Sequence, residues 1–335
     1  MALPSIYVPT RQVPFVLQGL FSNEKFAQLL AADILSSDIL GEAVNAGDFI
    51  NIPQAVQIPD LSRVDLTSTS AAAGTRVSTN DSKCPVVRDY SMPIFTKADV
   101  LRTGEDFESL NARTAGNKMA KSIIQNLDAT LKGVIGTVTS HSVNATAGAA
   151  GAMVVQDIRK AKRLLGDQYD RATVMLIHPD VFTDLIADLT GTYKYSGNLS
   201  GQWLVDGLVQ NVMGINKIIV SSDLSAAAGA TSSQGDDSYY TWIFAPQEDG
   251  IGAPVHFGYQ AQPRVEQFVD VRVPDTLTYQ KFSLDYAVGV RGMKWNASTP
   301  NPTLSNLADQ TKWDAAYEDH RNVGVVCVRS GGLKA

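Results

Sequence analysis

The chain has 335 residues, of which 44% are hydrophobic and 19% charged, and its net charge is −6. The acidic balance argues against a protein that reads nucleic-acid sequence through a basic face, and the hydrophobic content is enough for a large core in about two domains. No stretch has the roughly 18 continuous apolar residues of a membrane span, and the N-terminus lacks a signal-peptide pattern, so we expect a soluble intracellular protein. Cys84 and Cys327 have no CxxC spacing, which predicts free thiols.

The N-terminal segment carries three prolines, Pro4, Pro9 and Pro14, within residues 1–22. Each proline pushes the preceding residue toward extended geometry, so we predict an extended arm that lies on a neighbouring subunit. A short helix is predicted next, from Ser22 to about Leu35, with Ser22 as its N-cap.

From Gly47 the apolar residues alternate with polar ones, a period that is typical of strands. The pattern predicts an outgoing strand that begins near Asp48 and a returning strand from Cys84 to Ile94, joined by a tip of small polar residues at 68–82. Such a hairpin has little apolar surface to hold it to its own domain, so we expect it to need a partner surface. A flexible loop is the alternative interpretation.

The stretch from Thr103 to about Gly136 predicts one long helix. Thr103 is a candidate N-cap, and Gly133 and Gly136 are candidate stops. Apolar side chains at steps of three or four predict a single buried stripe, formed by Phe107, Leu110, Ala115, Met119, Ile123, Leu127, Leu131 and Val134. Polar side chains are predicted to lie away from the stripe, namely Asn111, Arg113, Asn117, Lys121, Gln125 and Asp128. A core helix of an ordinary α/β enzyme is the alternative.

After the long helix, residues 137–152 read as a linker of small residues and as the best domain boundary. Beyond the linker the pattern is compact α/β: a helix that Gly166 stops, a buried strand at 172–177, and a helix that starts at His178-Pro179-Asp180. Strands are predicted at 217–220, 239–245, 265–273, 282–295 and 323–328.

Searches for catalytic patterns find none: the chain has no GxxxxGK[ST], GxGxxG, GxSxG or HExxH motif. The four histidines are scattered at 141, 178, 256 and 320, and His178 is better explained as a helix cap. The tryptophans at 203, 242, 295 and 313 are interpreted as core or interface residues because no basic residues interleave with them. We therefore predict no enzyme and no catalytic, cofactor-binding or metal-binding residues.

The order of these parts and several local sequences resemble the major capsid proteins of tailed bacteriophages, whose fold was first described for phage Hong Kong 97. AGDFINIPQ and the return VVRDYSMPIFTKADVL are similar to the extension loop of that family. VVQDIRKAKRLLGDQY followed by ATVMLIHPDVFTDL resembles its helix, Leu-Gly-Asp turn, strand and His-Pro-Asp helix start. YAVGVRGMKWN and NPTLSNLADQTKWDAAYEDHRNVGVVCV resemble the ending of one branch, so the resemblance covers almost the whole chain.

The resemblance implies an α+β fold of the Hong Kong 97 type, with an N-terminal arm, an extension loop, a peripheral domain with a long spine helix, and an axial domain. The implied divisions are the arm and short helix at 1–46, the extension loop at 47–94 and the peripheral domain with the spine helix at 95–140. The axial domain would cover 141–264, and residues 265–335 would return to complete the peripheral domain.

The function implied by the resemblance is a major capsid protein that forms hexamers and pentamers of an icosahedral phage head around double-stranded DNA. The DNA would be contacted non-specifically, in a virion assembled in the host cytoplasm, without a membrane. Because the chain opens directly on the arm, we expect a separate scaffolding protein, with a portal and a decoration protein as further partners. Lys83 lies near the returning strand, so the isopeptide cross-link of the founding member is not expected. An encapsulin-like bacterial compartment shell is the alternative, and an unrelated α/β enzyme is a third hypothesis.

Overall fold

A computed structural model of the chain describes residues 12–36, 49–53, 81–96, 107–145, 151–193, 214–225, 238–246, 253–259, 263–270, 277–316 and 323–331. The helices are α1 (Val13–Ser22), α2 (Glu24–Leu30), α3 (Phe107–Thr137), α4 (Val155–Arg163), α5 (Pro179–Tyr193) and α6 (Leu304–Leu307). The strands are β1 (Leu35–Ser36), β2 (Phe49–Pro53), β3 (Asp81–Ser91), β4 (Ile94–Thr96), β5 (Ser142–Asn144), β6 (Val174–Ile177), β7 (Lys217–Val220), β8 (Ser238–Phe244), β9 (Val255–Tyr259), β10 (Arg264–Asp270), β11 (Leu277–Val290), β12 (Met293–Trp295), β13 (Trp313–Ala315) and β14 (Val325–Gly331).

The segment predicted as an extended arm contains a helix instead, because Pro14 lies in the first turn of α1, where its missing N–H removes no helical hydrogen bond. Ser22 ends α1 and is not an N-cap. The cap of α2 is Asn23, whose side chain accepts from the backbone N–H groups of Lys25 and Phe26 at 3.1 Å. Residues 1–11 lie outside the described residues, so their predicted position on a neighbour stays a prediction.

The helix α1 packs against α3 of the same chain, and Val16 and Leu20 are fully buried in the main core. The contact is close because each helix presents a glycine. A Cβ on Gly19 would overlap the carbonyl oxygen of Arg113, and one on Gly116 would overlap that of Val16. This part of the predicted arm therefore belongs to the core of its own subunit.

A seven-stranded sheet is built around β11, which pairs antiparallel with β3 and β4 along one side and with β9 and β10 along the other. The predicted hairpin is present at its base, where β2 pairs antiparallel with β3 from Phe49 opposite Pro85 to Pro53 opposite Asp81. Its predicted tip at 68–82 lies almost wholly outside the described residues. Phe282, Leu284 and Tyr286 of β11 are buried in the core that also contains the apolar stripe of α3.

The helix α3 has 31 residues and is about 46 Å long at 1.5 Å per residue. Its predicted stripe is buried from Ala115 to Val134, although Leu110 is 50% exposed. Gly133 does not stop the helix. A Cβ there would overlap the carbonyl oxygen of Leu307 and the ring of Trp313, so this glycine permits close packing of the C-terminal segment.

The prediction for Asp128 was wrong. It was expected on the solvent side of α3, but it is 1% exposed. Its burial follows from polar groups of distant elements, which are described with the candidate site below.

A five-stranded sheet has the order β5-β14-β8-β6-β7. Alternate residues of β6, β8 and β14 face two different cores: Leu176, Trp242 and Cys327 face the α3 side, and Ile177, Ile243 and Val328 face α4 and α5. The last strand, which the sequence grouped with the returning strands of the peripheral domain, pairs antiparallel with β8 and parallel with β5.

The boundaries of the α/β part agree with the local sequence. Pro179 occupies the first position of α5, and Gly166 follows α4 with a φ of 56°, a conformation that suits glycine. No helix in the part of the chain that the structure describes is long and apolar enough to cross a membrane.

Candidate functional site

Within the described ranges, no group of three or more His, Cys, Asp or Glu side chains is placed to hold a metal ion. The absence of catalytic, cofactor-binding and metal-binding residues stays a prediction. The residues that the structure does bring together are polar groups on α3, and they bind the helix to both sheets.

The first of these groups, here called the limb network, joins β3, α3 and β11 through Asp89. One oxygen of Asp89 accepts hydrogen bonds from the hydroxyl of Ser122 at 2.6 Å and from the phenol of Tyr286 at 2.7 Å. Asn126 donates to Tyr286 at 2.6 Å and to Ser122 at 3.3 Å. Burial, and secondarily the charge of Asp89, raise the pKa of Tyr286 well above its ordinary value, so the phenol keeps the proton that it donates. The base of the hairpin is thereby fixed to the long helix.

The second group, here called the clamp network, joins α3 to the five-stranded sheet through Asp128. One carboxylate oxygen accepts from the indole N–H of Trp242 at 2.9 Å. The other accepts from Lys132 at 2.6 Å and from the backbone N–H and hydroxyl of Ser225 at 3.2 and 3.1 Å. Lys132 also donates to the backbone carbonyl oxygen of Ser225 at 2.6 Å. The buried carboxylate is therefore both neutralised and hydrogen-bonded, which are the conditions under which such a charge is tolerated.

One feature of the sequence indicates which residues of α3 take part in these two networks. Ser122 and Asn126, like Asp128 and Lys132, are four residues apart, so each pair lies on one face of the helix. Their partners Asp89, Trp242 and Tyr286 are distant in the chain, and sequence reasoning assigned no polar contact to them.

Other residues singled out from the sequence have structural roles. The backbone N–H of Asp180 donates to the imidazole of His178 at 3.3 Å, which confirms the capping interpretation, and the ring stacks on Tyr239 at 4.0 Å between centroids. The tryptophans at 242, 295 and 313 are buried, as predicted, and Trp203 lies outside the described residues.

Neither Cys84 nor Cys327 forms a disulfide, as predicted, and both side chains are buried. Cys84 fills a space left by Gly289, where a Cβ would overlap its sulfur. Burial raises the pKa of the Cys327 thiol, so both features are typical of core residues, not of nucleophiles.

The chain has one long helix between two sheets and a hairpin base on one of them, and its fold is similar to that of solved phage structures. One match is the structure described as the Cyanophage Pam1 capsid asymmetric unit, with a TM-score of 0.55 and 12% identity over 93% of each chain. A chain from Mycobacterium phage Bobi matches with a TM-score of 0.54 and 12% identity over 91% of each chain. A chain from Mycobacterium phage Che8 matches with a TM-score of 0.51 and 14% identity over 89% of each chain. At these identities the likeness concerns the fold alone, and it defines the class: the α+β fold of Hong Kong 97-type capsid proteins, as predicted.

The family model described as phage capsid protein matches residues 94–299, which is more than half of the chain. The chain therefore belongs to the phage capsid protein family, and it is a major capsid protein that forms a virion shell by self-association. These matches do not favour the bacterial compartment shell that was the alternative. No curated protein matches the chain.

Proposed function

We propose that this chain forms hexamers and pentamers of an icosahedral head that encloses double-stranded DNA, and that its role is structural. The observation that carries the proposal is the base of the hairpin. The limb network and the pairing of β3 with β11 hold that base to the subunit, while β2 and β3 stay paired as far as Pro53 and Asp81. The 27 residues from 54 to 80 continue from those paired ends. A fixed base with a long continuation suits a loop that reaches across a neighbouring subunit.

The domain division is part of this proposal. Residues 1–46 would form the arm and the first helices, 47–94 the extension loop, 95–140 the peripheral domain with the spine helix, and 141–264 the axial domain. Residues 265–335 would complete the peripheral domain, except that we add β14 to the axial domain. The support for that addition is its hydrogen bonding to β5 and β8.

The partners of such a shell would be neighbouring copies of the chain, a separate scaffolding protein, a portal and a decoration protein. The packaged DNA would be contacted non-specifically, and the shell would be assembled in the host cytoplasm. The net charge of −6 agrees with weak contact to DNA, because a strongly bound polyanion requires an excess of cations at its interface.

Replacing residues 67–80 with a short Gly-Ser turn tests the role of the extension loop. The change leaves the paired ends Pro53 and Asp81 intact, so we expect unchanged circular dichroism and thermal melting of the subunit. Closed shells should disappear, because one contact that is repeated in every subunit is lost. Sedimentation and negative-stain microscopy measure the shells.

The same Gly-Ser replacement in residues 226–237, another stretch rich in small and polar residues, is the control and should leave shells intact. Shells of normal size from the 67–80 variant would refute the role of the loop in assembly. Unfolding of that variant would show that residues 67–80 belong to the core of their own subunit.

A further inference from the structure

We propose that one end of the seven-stranded sheet carries a contact surface for a second copy of this chain. The surface, here called the aromatic row, consists of Tyr90, Ile94, Phe268 and Tyr279. The inference rests on the proposed self-assembly and adds to it by naming residues that are covered in the shell.

Strand register places these four residues on one face of the sheet. Ile94 on β4 lies opposite Tyr279 on β11, and Tyr279 lies opposite Phe268 on β10. Tyr90 on β3 lies opposite Ser283, four residues further along β11. Directly opposed residues share a face, and so do residues an even number of positions apart, so the row is one continuous surface across several strands.

The aromatic row is exposed, although the other face of the same strands is core. Tyr90 is 71% exposed, Ile94 is 55% exposed, Phe268 is 54% exposed, and Tyr279 is partly exposed. On the inner face, Phe282 and Leu284 of β11 are buried. A cluster of large apolar side chains in water is a typical mark of a protein contact surface.

The exposed apolar residues elsewhere do not form such a surface. Phe21 lies beside Phe26 at 6.3 Å between ring centroids, Leu110 is on α3, and Leu304 is on the one-turn helix α6. Among the described strands, the aromatic row is the place where large exposed apolar side chains are cross-strand neighbours.

The charges around the row favour a copy of this chain over nucleic acid. Lys281 and Glu266 form an ion pair at 3.3 Å next to Tyr279 and Phe268, and Arg88 lies directly opposite Asp285 beyond Tyr90. A surface with both signs of charge around an apolar centre repels part of any polyanion, but it is complementary to another mixed surface. In a shell of identical subunits, every copy supplies a mixed surface of this kind.

The position of the row at a sheet edge supports the same partner. Within the described strands, β10 pairs with β11 and with no other strand, so its outer edge is open. Exposed strand edges are favoured sites for association, and here the edge carries Phe268. A neighbouring subunit placed over the row also covers this edge.

Photo-cross-linking in assembled particles tests the proposal directly. The amino acid p-benzoyl-phenylalanine replaces Phe268 in one variant and Leu304, which is 46% exposed and outside the row, in the matched control. After irradiation, we expect a band of two linked chains from the Phe268 variant, at least about tenfold stronger than from the control, because the row is the repeated contact. Cross-links within one chain alone would overturn the proposal.

A second variant tests the energetic role of the row. Tyr90→Ser, Ile94→Ser and Phe268→Ser combined should keep the circular dichroism of the wild type, since these side chains face outward, and should lower the yield of shells by about tenfold or more. The control Leu304→Ser should assemble normally. Shells at the normal yield from the triple variant would refute the proposal.

The outcomes separate this inference from the proposed head. If shells form normally but no chains are cross-linked at Phe268, the aromatic row is not a subunit contact, while the proposed icosahedral head stands. If chains are cross-linked at Phe268 but the protein forms only open oligomers, the row is a subunit contact and the proposed icosahedral head is wrong.

Discussion

Asp128 is a carboxylate in the middle of a helix, and four hydrogen-bond donors surround it. Trp242 reaches it from β8, Ser225 from the segment after β7, and Lys132 from the next turn of α3. The side chain of Asp128 is 1% exposed and that of Lys132 is 10% exposed. An ion pair in this setting contributes little net stability over apolar residues of the same size, but removal of one member leaves an uncompensated buried charge.

We predict that Lys132→Met lowers the free energy of unfolding by about 3–5 kcal/mol, because Asp128 then stays buried without a counter-charge. The double variant Asp128→Leu/Lys132→Met should lose less stability than the sum of the two single variants. Urea denaturation of the unassembled subunit measures both quantities. The control is Glu24→Gln in the exposed pair with Lys25, which should cost less than about 1 kcal/mol. Additive effects of the two single substitutions would contradict the assignment of this pair as a clamp.

His256 makes the stability of the subunit depend on pH. Burial, and secondarily the charge of Arg291, lower its pKa from 6.5 to about 4. Below pH 6.5 the unfolded chain binds a proton that the folded protein does not bind, so stability is full above that pH and falls as the pH decreases toward 4.

We predict that wild-type protein loses about 2 kcal/mol more stability than His256→Gln between pH 7.5 and pH 5, at about 1.36 kcal/mol per pH unit. Urea denaturation at the two pH values measures the difference. The comparison at pH 7.5, where the imidazole is neutral in both states, is the control for packing effects of the substitution. Equal losses in the two proteins would show that His256 is solvated or protonated in the folded state.

At the scale of elements, the position of α3 is set by glycines as much as by its apolar stripe. Because Gly116 has no side chain, the backbone of α1 packs directly against α3 there. Gly133 in the same way allows close contact with Leu307 and Trp313 of the C-terminal segment. The end of the helix is fixed by Thr137, whose hydroxyl donates to the backbone carbonyl oxygen of Gln310 at 2.9 Å. Two segments from opposite ends of the chain thus lie directly against one helix.

We predict that Gly116→Ala destabilises the subunit by about 1–3 kcal/mol, because the new methyl group meets the backbone of α1 and that backbone cannot move independently. Lys118→Ala is the control in the same helix, because that side chain is exposed, and it should change the stability by less than about 0.5 kcal/mol. Thermal melting measures both variants. A neutral Gly116→Ala would show that α1 and α3 are not in tight contact.

At the scale of the whole molecule, α3 is the common support of both sheets. Its limb network reaches the seven-stranded sheet through Asp89 and Tyr286, and its clamp network reaches the five-stranded sheet through Trp242. A force on the hairpin base therefore acts on α3, which is also hydrogen-bonded to the five-stranded sheet. Such a connection suits a shell subunit, whose two sheets must keep a fixed relative orientation when neighbouring subunits exert force on the hairpin.

The charges of the long helix divide into a buried pair and an exposed group. Asp128 neutralises Lys132, while Arg113, Lys118 and Lys121 remain exposed. The buried pair has no net charge, so burying it leaves the net charge of the rest of the helix unchanged. Because its carboxylate is turned inward, Asp128 does not interrupt the exposed cations.

The sequence by itself was enough to predict the helices and helix ends that depend on residues close together in the chain. The stripe from Ala115 to Val134 predicted α3, Pro179 predicted the start of α5, and Gly166 predicted the end of α4. These features depend on periodicity and backbone preference within a few residues. The order of the elements carried the resemblance to phage capsid proteins, which the family match confirms.

Only the tertiary structure showed the features that depend on contacts between residues far apart in the chain. Asp128 is buried because Trp242, 114 residues away, supplies a donor for its carboxylate. The helix α1 lies on its own subunit because Gly19 and Gly116 face each other's backbone, and β14 joins the five-stranded sheet because its hydrogen-bonding partners are β5 and β8. Local patterns contain no information on such partners, since a buried polar group or a sheet edge is satisfied by whichever segment the fold brings to it.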